Sequence, residues 1–131
     1  MNGLISIVSE FSVQESIDRV ADLLKQRDYK IFGRIDHRKN AAPYKNLRPT
    51  QIIIFGNPKV GTNMMLDAQT VAIDLPSKIM AWEDENGKVH LVHNDMNWLA
   101  ERHQLTVESQ DAVDKIQNTL RQVCEKAAKG E

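Results

Sequence analysis

Two runs of strand composition, Ser77-Lys78-Ile79-Met80-Ala81-Trp82-Glu83 and Lys88-Val89-His90-Leu91-Val92-His93-Asn94, flank the four residues Asp84-Glu85-Asn86-Gly87. This stretch decides the fold. An Asn-Gly pair supplies the backbone torsions that a tight hairpin turn needs, so the chain reverses here and the two runs pair antiparallel. Any sheet in this protein is therefore antiparallel at least in part, and the remaining elements have to be fitted around the hairpin.

Upstream, Gln51-Ile52-Ile53-Ile54-Phe55 is dense in β-branched residues and suits a buried central strand, stopped by Gly56-Asn57-Pro58. A short helix is expected to start near Gly61-Thr62, with Thr62 as its cap, and to carry Met64, Met65 and Ala68. A second strand is expected from Lys30 to about Asp36, with Ile31, Gly33 and Ile35 on one side and Phe32 on the other. The segment from His37 to Pro49 has little apolar periodicity and two prolines, which makes it mainly loop. Before it, Ser12 and Glu15 have capping-box spacing, and Val13, Ile17, Val20, Ala21 and Leu24 recur every three or four residues. That pattern predicts an amphipathic helix to about Arg27, preceded by a first strand at Leu4, Ile5, Ile7 and Val8. Downstream, Asn97 to His103 suits a short helix, and Val113, Ile116, Leu120 and Val123 mark one face of a long helix from about Gln110 to Lys126.

The order is strand, long helix, four strands with small helical insertions, long helix. It predicts a single α+β domain over residues 1–131, with one mainly antiparallel five-stranded sheet and both long helices on one face. The other face is left for solvent or for a contact surface.

The bulk properties narrow the function. The 131 residues are 41% hydrophobic and 27% charged, with 17 basic and 18 acidic side chains and a net charge of −1. No global field draws the chain to nucleic acid or to an anionic membrane. Cys124 is the only cysteine, so no intrachain disulfide forms and a reducing compartment suits the chain. No apolar run approaches the roughly 18 to 20 residues of a membrane span, and Met1-Asn2-Gly3-Leu4 lacks the basic start of a signal peptide. The expected location is the cytoplasm.

Few residues suggest chemistry. Asp36-His37 sets a carboxylate beside an imidazole, the arrangement that orients a general acid or base, provided the strand ends there and the chain turns. In Phe55-Gly56-Asn57-Pro58-Lys59-Val60-Gly61-Thr62 a strand runs through a glycine-containing loop into a helix start, whose amides suit a ligand, although a plain turn needs the same residues. His90 and His93 stand three apart on one strand and so face opposite sides, which argues against a shared metal ion. No metal or cofactor is expected.

Several of these residues also carry a resemblance. Asp36-His37, Ala41, Phe55-Gly56-Asn57-Pro58 with Gly61-Thr62, Met65, Leu75-Pro76, Trp82 and Leu99-Ala100-Glu101-Arg102-His103 resemble the domain of unknown function 302 family over about residues 11–105. The resemblance implies a TATA-binding-protein-like fold, a β-α-β4-α arrangement around a curved antiparallel sheet, and a tendency to pair as homodimers. It implies no activity. The segment after His37, with Arg38, Lys39, Lys45 and Arg48, is more basic than the family pattern.

The expected function is a homodimeric small-ligand-binding or accessory module. Its pocket is expected among Asp36, His37, Asn57, Gly61, Thr62 and His103. Two alternatives are a small enzyme using His37 and Asp36 as an acid–base pair in a cleft shared with His103, and a structural protein-interaction domain.

Overall fold

The deciding hairpin forms. In the computed structural model, which describes residues 2–130, strands β4 (Ser77–Glu83) and β5 (Val89–Asn94) pair antiparallel. Asp84 builds the turn: its Oδ1 accepts the amides of Asn86 and Lys88 at 2.9 and 3.0 Å. Gly87 takes the positive φ of 81° that the reversal requires.

Strands β1 (Leu4–Ser9), β2 (Lys30–Asp36) and β3 (Thr50–Gly56) complete a five-stranded sheet in the order β1-β5-β4-β3-β2, antiparallel at every pairing. Helix α1 (Val13–Gln26) starts at Ser12, whose side chain accepts the Glu15 amide as in the expected capping box, while the Glu15 carboxylate accepts from the Ser12 hydroxyl at 3.3 Å rather than from the Ser12 amide. Helix α5 (Gln110–Lys129) is the second long helix. The two pack on each other and on one face of the sheet, α1 over β3 and β4, α5 over β1 and β5. Ile17, Val20 and Leu24 from α1, Ile53, Ile79 and Leu91 from the sheet, and Val123 from α5 are all at 0% exposure. At about 1.5–3 kcal/mol for each large apolar side chain buried, this one layer is the main source of stability. The opposite face, which carries Val8, Ile35, Ile52 and Trp82, is left without a long helix.

Two local readings are corrected and one is refined. A bulge in β2 lies between Ile31 and Gly33. Ile31 therefore pairs with Phe55 and packs toward the core, while Gly33 and Ile35 pair with Ile54 and Ile52 on the other face. Ile31, Gly33 and Ile35 do not share a side. The loop after β2 begins with a five-residue helix, α2 (His37–Ala41), capped by Asp36. Finally, α3 (Pro58–Asp67) starts at Pro58 rather than near Gly61: Asn57 is its cap, accepting the Lys59 amide at 3.1 Å, and Pro58 occupies the first turn, where its missing N–H costs nothing. A 3-10 turn, Gln69–Asp74, follows α3, and α4 (Met96–Arg102) follows β5.

Candidate functional site

The register divides the sheet into two ends. At one end Lys30 pairs with Gly56 and Phe55 with Ser77; at the other Asp36 pairs with Gln51 and Glu83 with Val89. Along β3 the two ends are about 17 Å apart at 3.4 Å per residue.

At the Gly56 end the chain leaves β3, turns through Asn57-Pro58 into α3, and returns through the 3-10 turn and Leu75-Pro76 into β4. This excursion cannot lie flat on the sheet, and α5 passes beside it. A cavity of about 330 Å³ remains between them. Phe55, Val60, Met65, Leu75 and Ile116 supply apolar wall. Tyr29 adds an aromatic edge, its ring 5.6 Å from that of Phe55 at 86°. Polar groups are few: Asn57, whose side-chain oxygen is engaged as the α3 cap, Thr62, Ser77, and the Tyr29–Thr119 pair, whose hydroxyls are 3.1 Å apart. No ionisable acid or base other than the Tyr29 phenol lines it. Such a site excludes water from an apolar guest and orients it with hydroxyls and an amide.

Three of the six expected residues, Asn57, Gly61 and Thr62, line this cavity. The other three do not. Asp36 and His37 sit at the far end of the sheet, where Asp36 Oδ1 accepts the Lys39 amide at 3.0 Å and caps α2. His37 is exposed in the first turn of α2. The carboxylate is thus occupied by a backbone amide and does not orient the imidazole.

His103 lies beyond β5, at the cavity end, so the two imidazoles do not converge on one cleft. Its Nε2 is 2.6 Å from Asp74 Oδ2 and its Nδ1 is 3.0 Å from Thr70 Oγ1, while Arg102 reaches the same carboxylate at 3.1 Å. This cluster clamps the end of α4 to the 3-10 turn whose Ala72 reaches the cavity wall. His103 acts on the rim segment rather than inside it.

His90 and His93 face opposite sides, as their spacing requires. His93 is buried at 4% exposure and points toward the core. Burial holds its pKa below the ordinary value, partly offset by its bond to the Asn94 carbonyl and the nearby Asp95. His90 stacks on Trp82 at 4.9 Å and reaches Asp84 at 2.8 Å; that bond is the main reason the Asp84 pKa is lowered. Among the described residues no group of three or more His, Cys, Asp or Glu side chains is placed to hold a metal ion. Burial, with a smaller contribution from Glu125, pushes the Cys124 thiol up to about 12, so it is not a nucleophile at neutral pH.

Reasoning from sequence missed most of the aromatic and aliphatic walls, Tyr29, Phe32, Leu75 and Ile116. Gly33 after Phe32 was the available signal for a bulge that frees Phe32 from the sheet face.

Residues 5–125 match a family model described as "Domain of unknown function DUF302". The chain belongs to the DUF302 family. Its fold is also that of a solved member, the crystal structure of an uncharacterized conserved DUF302 protein from Bacillus stearothermophilus. The two superpose with a TM-score of 0.85 over 97% of this chain and 99% of that one, at 15% sequence identity. In sequence, the DUF302 chain is 45% identical over 113 residues to a protein named "Fluoride-specific ion channel FluC 1" of Brucella suis biovar 1, covering 86% of this chain and 44% of that protein. The "Fluoride-specific ion channel FluC 1" of Brucella abortus biovar 1 matches at the same identity and is covered over 42%. The chain therefore spans less than half the length of these relatives. Among its described residues no helix is long and apolar enough to cross a membrane.

Proposed function

We propose that this DUF302 chain is a small-ligand-binding accessory module that works as a homodimer in the cytoplasm. The observation that carries the reading is the apolar cavity of about 330 Å³ at the Asn57–Thr62 end of the sheet. A half-open apolar cleft of that volume with a handful of convergent polar groups reads as a binding site.

The pairing is supported by the two sheet edges. The β2 edge is protected by Lys30, Arg34 and Asp36 and by its bulge. The β1 edge, Leu4-Ile5-Ser6-Ile7-Val8-Ser9, carries no charge, no proline and no bulge, and exposes Leu4 at 48% and Val8 at 51%. A second copy of β1, running antiparallel across a two-fold axis, would meet it without like-charge repulsion. The buried, reduced Cys124 suits a reducing compartment.

A specific observation favours an accessory role. Among the described residues of this chain no helix is long and apolar enough to cross a membrane, and the segment shared with the two FluC relatives accounts for 44% of one and 42% of the other. That supports the reading that channel activity in those proteins resides in their remaining length, and that the shared segment assists it. A strain lacking this chain should then grow less well than its parent in millimolar fluoride, and equal growth would remove the link to fluoride.

The cavity reading is tested by native mass spectrometry of the protein purified gently from its own host. A dimer with a reproducible small-molecule adduct, lost in Met65→Trp, is expected. A bare protein that no apolar compound stabilises against melting would overturn it.

A further inference from the structure

We infer that the ligand is an amphipathic anion, an apolar body seated in the cavity and an anionic head held at its mouth by Lys30 and Lys78. This deepens the ligand-binding reading and rests on it.

The body follows from the walls. Phe55, Val60, Met65, Leu75 and Ile116 present carbon, and no charged side chain lines the cavity. A charged group drawn inside would lose its hydration with nothing to replace it. The volume of about 330 Å³ is near the low end for ligand sites, which suits a short chain or a single ring.

The head follows from the mouth. Phe32, Gly56 and Pro76 line the cavity together. A β-carbon at Gly56 would stand 3.5 Å from both the Phe32 ring and the Pro76 ring, so the two close over this glycine. Each carries a lysine. Lys30 Nζ lies 5.2 Å from the centre of the Phe32 ring, and Lys78 Nζ donates to the Pro76 carbonyl at 3.1 Å.

Lys30 pairs with Gly56 and Lys78 pairs with Ile54, so both stand on the sheet face opposite Phe55, at the Phe32 and Pro76 side of the cavity rather than at its α5 side. Among the described residues neither ammonium has a carboxylate within ion-pair distance. Two unneutralised cations thus sit on the residues that frame an uncharged cavity. Lysine is a point charge rather than a planar fork, so the mouth selects for negative charge and not for one anion geometry.

The test compares two probes with the same eight-carbon body, octanoate and 1-octanol, by calorimetric titration of the full chain at neutral pH. Octanoate should bind about tenfold more tightly at low ionic strength, the equivalent of one charge-assisted contact. Added sodium chloride should narrow that preference in the native protein. The Lys30→Met, Lys78→Met double variant should bind octanoate only as well as octanol, with octanol affinity unchanged. Met65→Trp should lose both probes.

Equal affinities for the two probes in the native protein, or a preference that survives the double lysine variant, would overturn the head-group assignment and leave the cavity reading standing. Octanoate binding that persists in Met65→Trp would place the anion on the surface and overturn the assignment in a second way. Failure of both probes to bind would remove the inference together with the reading beneath it.

Discussion

The Tyr29 hydroxyl lies 3.1 Å from Thr119 Oγ1, joining two residues 90 apart in sequence across the cavity wall. Thr119 is at 8% exposure, so its hydroxyl has little access to water once the partner is gone. Tyr29→Phe should therefore destabilise the fold by about 1 kcal/mol, a fall of roughly 3–4 °C in melting temperature for a domain of this length. The Tyr29→Phe, Thr119→Val pair should recover part of that loss, because it removes the stranded hydroxyl. Thermal unfolding followed by circular dichroism measures both; a Tyr29→Phe variant that melts with the parent would argue that the bond contributes nothing, and equal losses in the single and double variants would argue that the stranded hydroxyl costs nothing.

Gly61 gives the opposite sign. It lies inside α3, where glycine weakens a helix by roughly 0.5–1 kcal/mol relative to alanine. An added β-carbon would meet only Leu75 Cδ1 at 3.6 Å and Met65 Cε at 3.9 Å, which are ordinary contacts. Gly61→Ala should raise the melting temperature by about 2–4 °C while lowering affinity for an apolar ligand, since both contacts belong to the cavity wall. A variant that is stabilised and binds as before would mean that the guest does not reach α3.

His93 predicts a pH dependence. Its folded pKa lies below the unfolded value because burial disfavours the charged ring. In the window below about pH 6.5 the unfolded chain therefore binds more protons than the folded one, and stability rises with pH there. Melting temperature should fall on going from pH 7 to pH 5, and His93→Gln should flatten that slope. Asp67 and Asp84, whose pKa values are held below the ordinary carboxylate value by hydrogen bonds, stay ionised in the folded protein between pH 7 and pH 5 and do not enter this slope. Parallel melting curves for the parent and His93→Gln from pH 7 to 5 would refute the assignment.

Much of the fold was legible because its signals are local. Asn86-Gly87 carries its own turn chemistry, and the α1 and α5 faces repeat their apolar residues along one continuous segment. The bulge at Phe32 was not, because it is a relation between β2 and β3 that no period within Lys30–Asp36 reveals. The cap of α3 was misread for a related reason: both Asn57 and Thr62 have capping side chains, and only Pro58 in the first turn decides between them. The candidate site was legible in its Asn57–Thr62 half, where one loop builds it. Placing His37 beside His103 failed because the positions of both depend on the order of strands in the sheet, which adjacency in sequence does not encode.

That separation makes a prediction of its own. His37 is exposed and at the far end of β2 from the cavity, so His37→Ala should shift stability by less than about 0.5 kcal/mol and leave ligand affinity unchanged. Asp36→Ala, which removes the α2 cap, should cost about 1 kcal/mol locally, also without an effect on binding. Weakened binding in His37→Ala would return the acid–base end of the sheet to consideration.

The β1 edge tests the pairing. The strand has six residues, and on its free side it offers backbone groups to any strand that approaches. Val8 is 51% exposed there, on the face opposite α5, and it pairs within the sheet only with His90. A lysine at this position leaves the core untouched, because the side chain already points to solvent. Across a two-fold axis, however, it sets two like charges into the same seam. Sedimentation equilibrium of the native chain should give twice the monomer mass, and Val8→Lys should shift it toward the monomer with melting of the isolated fold little changed. Phe32→Lys, at the bulged edge, should leave the dimer intact. A dimer that survives Val8→Lys but dissociates in Phe32→Lys would move the interface to the opposite edge of the sheet, where a partner would stand beside the cavity mouth.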